Sequence, residues 1–155
     1  MVRIATMLVL AMELCALTAC DAGFAAGGAT IGAKPVAVAE SERAWAESSV
    51  RGILADIDAH RYGEVWDAGA PTLREDVTRE DFVRTAIVAR EYSGDWGVRR
   101  RKTLTFYNGP GLPRVLHATL VNEVECGGRT CQERIFLQRL ERGWALVGYS
   151  VEPLG

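Results

Sequence analysis

The sequence predicts an α+β fold in which N-terminal helices pack on an antiparallel sheet of about four strands. Two observations lead there. Apolar residues recur at helical spacing from about residue 41 to residue 90, and beyond Val98 the apolar period falls towards two. Helices gathered ahead of a meander of strands, rather than alternating with them, belong to the α+β class. A chain of 155 residues that is 48% hydrophobic suits one modest core and one domain.

Ser41 to about Arg61 reads as a long helix. Ala46, Val50, Ile53, Leu54 and Ile57 form its apolar stripe, and Glu42, Arg43, Glu47, Arg51, Asp58 and Arg61 face water. Gly52 weakens it by about 1 kcal/mol relative to alanine, so close approach of another backbone is its expected use. Tyr62–Trp66 forms a short second segment, which Gly69-Ala70-Pro71 breaks. A third helix begins near Thr78, with Asp81 completing an approximate capping box, continues through Phe82, Val83, Ala86, Ile87 and Arg90, and stops at Gly94. The strand candidates are 98–108, 114–126, 131–142 and 144–151. In the last, Ala145, Val147, Tyr149 and Val151 alternate with Trp144, Leu146 and Gly148.

The N-terminus carries a different signal. An apolar run from Ile4 to Ala19 ends in Leu17-Thr18-Ala19-Cys20. These four residues resemble the lipobox of bacterial lipoproteins. The resemblance implies a diacylglycerol thioether on Cys20, cleavage before it, and a mature N-terminus held to a membrane. Glu13 weakens the leader by about 2.5–3.5 kcal/mol on insertion scales. Ordinary secretion with cleavage near Ala25 or Ala26, and a retained anchor, are the alternatives. The chain accordingly divides into a leader over 1–19, a tether over 20–36 rich in glycine and alanine, and the α+β domain over 37–152. The expected location is the cell envelope, membrane-anchored and facing the periplasm or exterior.

Of four cysteines, Cys15 leaves with the leader and Cys20 takes lipid. Cys126 and Cys131 flank Gly127-Gly128-Arg129-Thr130, a hairpin loop that sets them face to face at its base. Outside the cytoplasm such a pair forms a disulfide. The spacing is not Cys-x-x-Cys and no second ligand pair accompanies it, which argues against a redox pair or a metal site.

Asp58 to Trp66, Phe82 to Arg90, Gly111-Leu112-Pro113 and Gly143-Trp144-Ala145-Leu146-Val147-Gly148-Tyr149 follow one another in an order that resembles an uncharacterised bacterial envelope family, number four thousand and nineteen in the domain-of-unknown-function series. Phe82, where tryptophan is expected, and the Cys126–Cys131 hairpin depart from that pattern. The resemblance implies the nuclear-transport-factor-two-like (cystatin-like) cone: helices held in a curved sheet with a pocket at the open end. It implies no reaction.

A net charge of −2 argues against a general nucleic-acid binder. Asp56, Asp58, His60 and His117 are the acid–base candidates, with solvated or capping roles the expectation for Asp58 and His60 and an outward-facing position for His117. No serine is linked to a base, no clustered ligand set suggests a metal, and no cofactor is called for. Trp45, Tyr62, Trp66, Phe82, Trp144 and Tyr149 are core residues or the wall of a pocket for an apolar ligand or peptide. Arg99 and Arg101 share one strand face, and are either a solvated edge or a contact for anionic lipid headgroups. The expected function is a lipid-anchored binding or assembly module without catalysis, its ligand a small apolar molecule or a protein. A small isomerase or dehydratase with an acid/base in the cone pocket, and an immunity or inhibitor protein, are the alternatives.

Overall fold

Helix α1, Glu40–Asp58, buries Ala46, Val50 and Ile57 in the core, with Ile53 and Leu54 packed beside them. This is the stripe that the helical period marks out. The computed structural model describes residues 23–25, 33–92, 94–108 and 115–154. A Cβ added at Gly52 would meet nothing within 4 Å, so the close approach expected there does not occur and Gly52 faces solvent. The helix ends in a Schellman closure: His60 N donates to Ile57 O at 3.0 Å, and Arg61 N to Asp56 O at 2.9 Å. His60 sits at φ 58°, the left-handed conformation this closure requires and glycine adopts with less strain.

Helix α2 spans Tyr62–Asp67 and α3 spans Pro71–Asp76. The break expected at Gly69–Pro71 is thus also the start of a further short helix. Pro71 stands in its first turn, where a missing N–H leaves no bond unmade. Helix α4 covers Arg79–Tyr92. Thr78 caps it as expected, accepting from Asp81 N at 3.2 Å and donating to Asp81 Oδ2 at 2.8 Å.

Among the described residues, six antiparallel strands follow the order β1-β6-β5-β4-β3-β2. The long ones are β3 (Trp96–Asn108), β4 (His117–Cys126), β5 (Arg129–Leu140) and β6 (Gly143–Pro153), a meander as expected. The short ones, β1 (Gly23–Ala25) beside β6 and β2 (Lys34–Val36) beside β3, lie within the stretch read as a tether. An open sheet edge offers unpaired N–H and C=O groups to any extended backbone, so apolar side chains are not needed for such pairing.

The β4–β5 turn is only Gly127-Gly128, with φ 55° and 76°, the two-residue turn that matches strand twist. Arg129 and Thr130 already belong to β5. Cys126 therefore lies opposite Arg129, and Cys131 opposite Val124. The two cysteines are diagonal rather than face to face, and they are bridged, with Cα atoms 6.0 Å apart. Gly94, at φ 66°, packs directly on this turn: a Cβ there would lie 2.9 Å from Gly127 Cα.

A register shift falls between the Phe136 and Leu137 pairings of β5 with β6. It reverses the facing of half of β6. Trp144 and Leu146 join Tyr149 and Val151 in the main core with Phe106, Leu120 and Ile135, while Ala145 and Val147 form a smaller cluster with Ala70. Strict alternation would have paired Tyr149 with Ala145 instead.

Candidate functional site

Along β5, Cys131, Glu133, Ile135 and Leu137 share the inward face, so an acidic side chain enters the core. Glu133 is 0% exposed. A buried carboxylate is tolerated only when its lone pairs are filled, and four donors fill these. Arg99 Nε at 2.7 Å and Asn122 Nδ2 at 3.0 Å donate to Oε2. Arg99 Nη2 at 3.1 Å and the Tyr149 hydroxyl at 3.0 Å donate to Oε1. Burial and the adjacent Glu133 charge push the Tyr149 hydroxyl far above the ordinary range, so it stays a protonated donor.

The cluster continues outward through Arg99, whose two Nη atoms donate to Asp58 at 2.6 and 2.7 Å. Arg90 Nη2 donates to the same carboxylate at 2.9 Å, and the Arg90 guanidinium stacks 3.7 Å above the Trp96 ring. Partial burial would raise the Asp58 pKa, but the hydrogen bonds and charges of Arg99 and Arg90 outweigh it and hold the carboxyl below its ordinary value. Two guanidinium groups thus face two carboxylates, and the cluster is internally neutral.

Where the closure of α1 meets α2 and α4, a cleft of about 290 Å³ opens beside this cluster, walled by His60, Tyr62, Gly63, Val83, Ile87 and Glu91. His60 Nδ1 lies 2.9 Å from the Tyr62 hydroxyl, with the rings edge-on at 5.7 Å. Burial raises the Tyr62 pKa and the Arg90 charge works against that rise, so the hydroxyl stays protonated and its hydrogen bond with Nδ1 fixes the imidazole's orientation. The Arg79 guanidinium lies over Gly63, where a Cβ would displace this exposed, flexible side-chain end. The cleft offers one oriented imidazole and one carboxylate over a floor of valine and isoleucine. Among the described residues no group of three or more His, Cys, Asp or Glu is placed to hold a metal.

The six expected pocket aromatics do not share this space. Tyr62 is in the cleft wall. Phe82, Trp144 and Tyr149 are buried in the core, and Trp66 is half-buried with Nε1 donating to Val77 O at 3.0 Å. Trp45 is partly exposed beneath Arg139, whose guanidinium lies 4.0 Å over its ring. Trp144 Nε1 and Arg139 Nε both donate to Glu42, at 2.8 and 2.6 Å. The register shift in β6 explains much of the difference, because it turns Trp144 inward.

Arg99 does not reach out to headgroups; its donors are taken by Asp58 and Glu133. Arg101 shares its face as expected, and pairs with Glu47 on α1. On the other face Lys102 pairs with Glu123 at 2.7 Å. His117 lies on the opposite strand face from Ala118, but it is half-buried there rather than outward-facing: its Nδ1 is buried, and that burial lowers its pKa. Asp56 pairs with Arg61 at the surface. Cys20 lies outside the described residues. Glu133, the centre of the cluster, carried one sequence signal: it stands two residues before Ile135 on an otherwise apolar face.

Comparison with protein families, with curated proteins and with solved structures finds no match. Among the described residues, no helix is long and apolar enough to cross a membrane.

Proposed function

We propose that the chain is a lipid-anchored protein of the bacterial cell envelope that binds a ligand or partner without transforming it. The anchor rests on Leu17–Cys20. The observation that carries the binding reading is how the charges of the core are used. Asp58, Arg90, Arg99 and Glu133 bond one another, which leaves the adjacent cleft with Val83 and Ile87, an imidazole held by Tyr62 and the Glu91 carboxylate. Apolar walls with a few fixed polar groups describe a ligand site better than a proton-transfer pair. A cone-like sheet, and with it the resemblance to the uncharacterised envelope family, belongs to the same proposal. It is supported by helices packed in one core with an antiparallel sheet whose long strands carry register shifts, the usual source of strand bending.

One observation favours the enzyme alternative. His60 occupies a left-handed position where glycine would be less strained, and such strain gathers at functional sites. The same observation supplies the test. His60→Gly removes the imidazole while suiting the backbone, so the variant folds. Native mass spectrometry of protein purified from solubilised membranes is expected to show a bound molecule on the parent chain and none on His60→Gly. A molecule recovered chemically altered by the parent and unaltered by the variant would move the assignment to an enzyme.

A further inference from the structure

We propose that the outer face of helix α4 rests on the bilayer to which the chain is anchored. The inference depends on the lipid-anchor reading and gives it a geometry. Cys20 precedes Gly23 by three residues, which even fully extended reach only about 11 Å. Gly23 is not free to wander: it pairs with Ser150 at the β6 edge of the sheet, and β1 packs beside α4. A lipid on Cys20 therefore holds that edge of the sheet, and α4 with it, at the membrane surface.

The face of α4 turned away from the core suits that position. Ile87 and Val88 are 36% and 50% exposed there, and Val83, half-buried against the core, borders them. Together with Arg79, Glu80 and Arg84 they line a shallow hollow of about 380 Å³. Apolar side chains over the centre of a helix face, ringed by long charged ones, are the pattern of a helix lying in the interface plane. Both arginines near it have carboxylate partners, Arg79 with Asp67 and Arg84 with Asp81, and Glu80 adds a negative charge. The contact is therefore apolar, requires no anionic lipid and withstands salt. It also places the cleft of His60 and Tyr62, which shares Val83 and Ile87 with this face, at the level of the headgroups.

The test uses the full lipidated chain in phosphatidylcholine vesicles, spin-labelled through Val88→Cys or, as reference, Val98→Cys. Val98 is 71% exposed on β3, several strands from β6. The intact mass of the purified chain is measured first. An acylated Cys20 N-terminus, with the ratio of oxygen to nickel-chelate accessibility several-fold higher at position 88 than at 98 and unchanged in molar salt, supports the proposal. An acylated chain with equal ratios at the two positions overturns the docking and leaves the anchor standing. A mature chain without acyl mass removes the anchor, and the docking with it.

Discussion

Tyr149 on β6 donates its hydroxyl to Glu133 on β5 across 3.0 Å, inside a core where Glu133 has no exposed surface. The bond exists because Ile135 stands opposite Tyr149 and Glu133 opposite Val151, which sets both side chains on the core face of the sheet. It joins the last strand to a carboxylate that also receives Arg99 and Asn122, and through Arg99 to the end of α1.

Breaking this cluster is expected to cost more than loosening it. Glu133→Ala leaves the donors of Arg99, Asn122 and Tyr149 unmatched, and about 3–5 kcal/mol of stability is expected to go. That is a large part of the ~5–15 kcal/mol typical of a domain. Tyr149→Phe removes one hydrogen bond and keeps the ring, for a loss of about 1–3 kcal/mol. Urea unfolding followed by tryptophan fluorescence measures both, and equal losses would contradict the four-donor account.

Acid should act through Asp58. Its folded pKa lies below its unfolded one because Arg99 and Arg90 favour the carboxylate. The stability this contributes is complete above the unfolded value, near ~4, and is lost as pH falls through the folded value. Asp58→Asn is expected to flatten the dependence of the unfolding midpoint on pH below about 4, relative to the parent chain. An unchanged acid limb would place that dependence elsewhere.

His117 acts in a higher window and with the same sense. Burial lowers its folded pKa, so between that value and ~6.5 the unfolded chain binds the proton and the folded chain does not. Stability falls as pH drops through this range. His117→Gln is expected to remove that slope in thermal melts recorded between pH 7 and pH 5.

Gly52→Ala should stabilise the domain by about 0.5–1 kcal/mol, because the position is helical and a Cβ meets open space. The urea midpoint should rise with an unchanged slope. A loss of stability would show that something covers Gly52.

The Cys126–Cys131 bridge closes a short loop, so replacing both by serine is expected to cost close to the low end of ~2–4 kcal/mol. With the two residues 0% and 2% exposed, alkylation without reductant should leave the native chain unmodified, as mass spectrometry can verify.

By itself the sequence determined the local elements: the stripe of α1, the Thr78 cap of α4, the order of the four long strands and the cysteine pair. Each rests on residues close together in the chain, where period, capping and turn chemistry act directly. It also placed Arg99 and Arg101 on one strand face. What they meet there was a matter of tertiary structure, because Glu133 lies 34 positions from Arg99 and Asp58 lies 41. Tertiary structure likewise decided that Trp144 and Tyr149 share a core. One added residue in β6 exchanges the faces of every side chain beyond it, and such a bulge has no marker in a pattern of alternating residues.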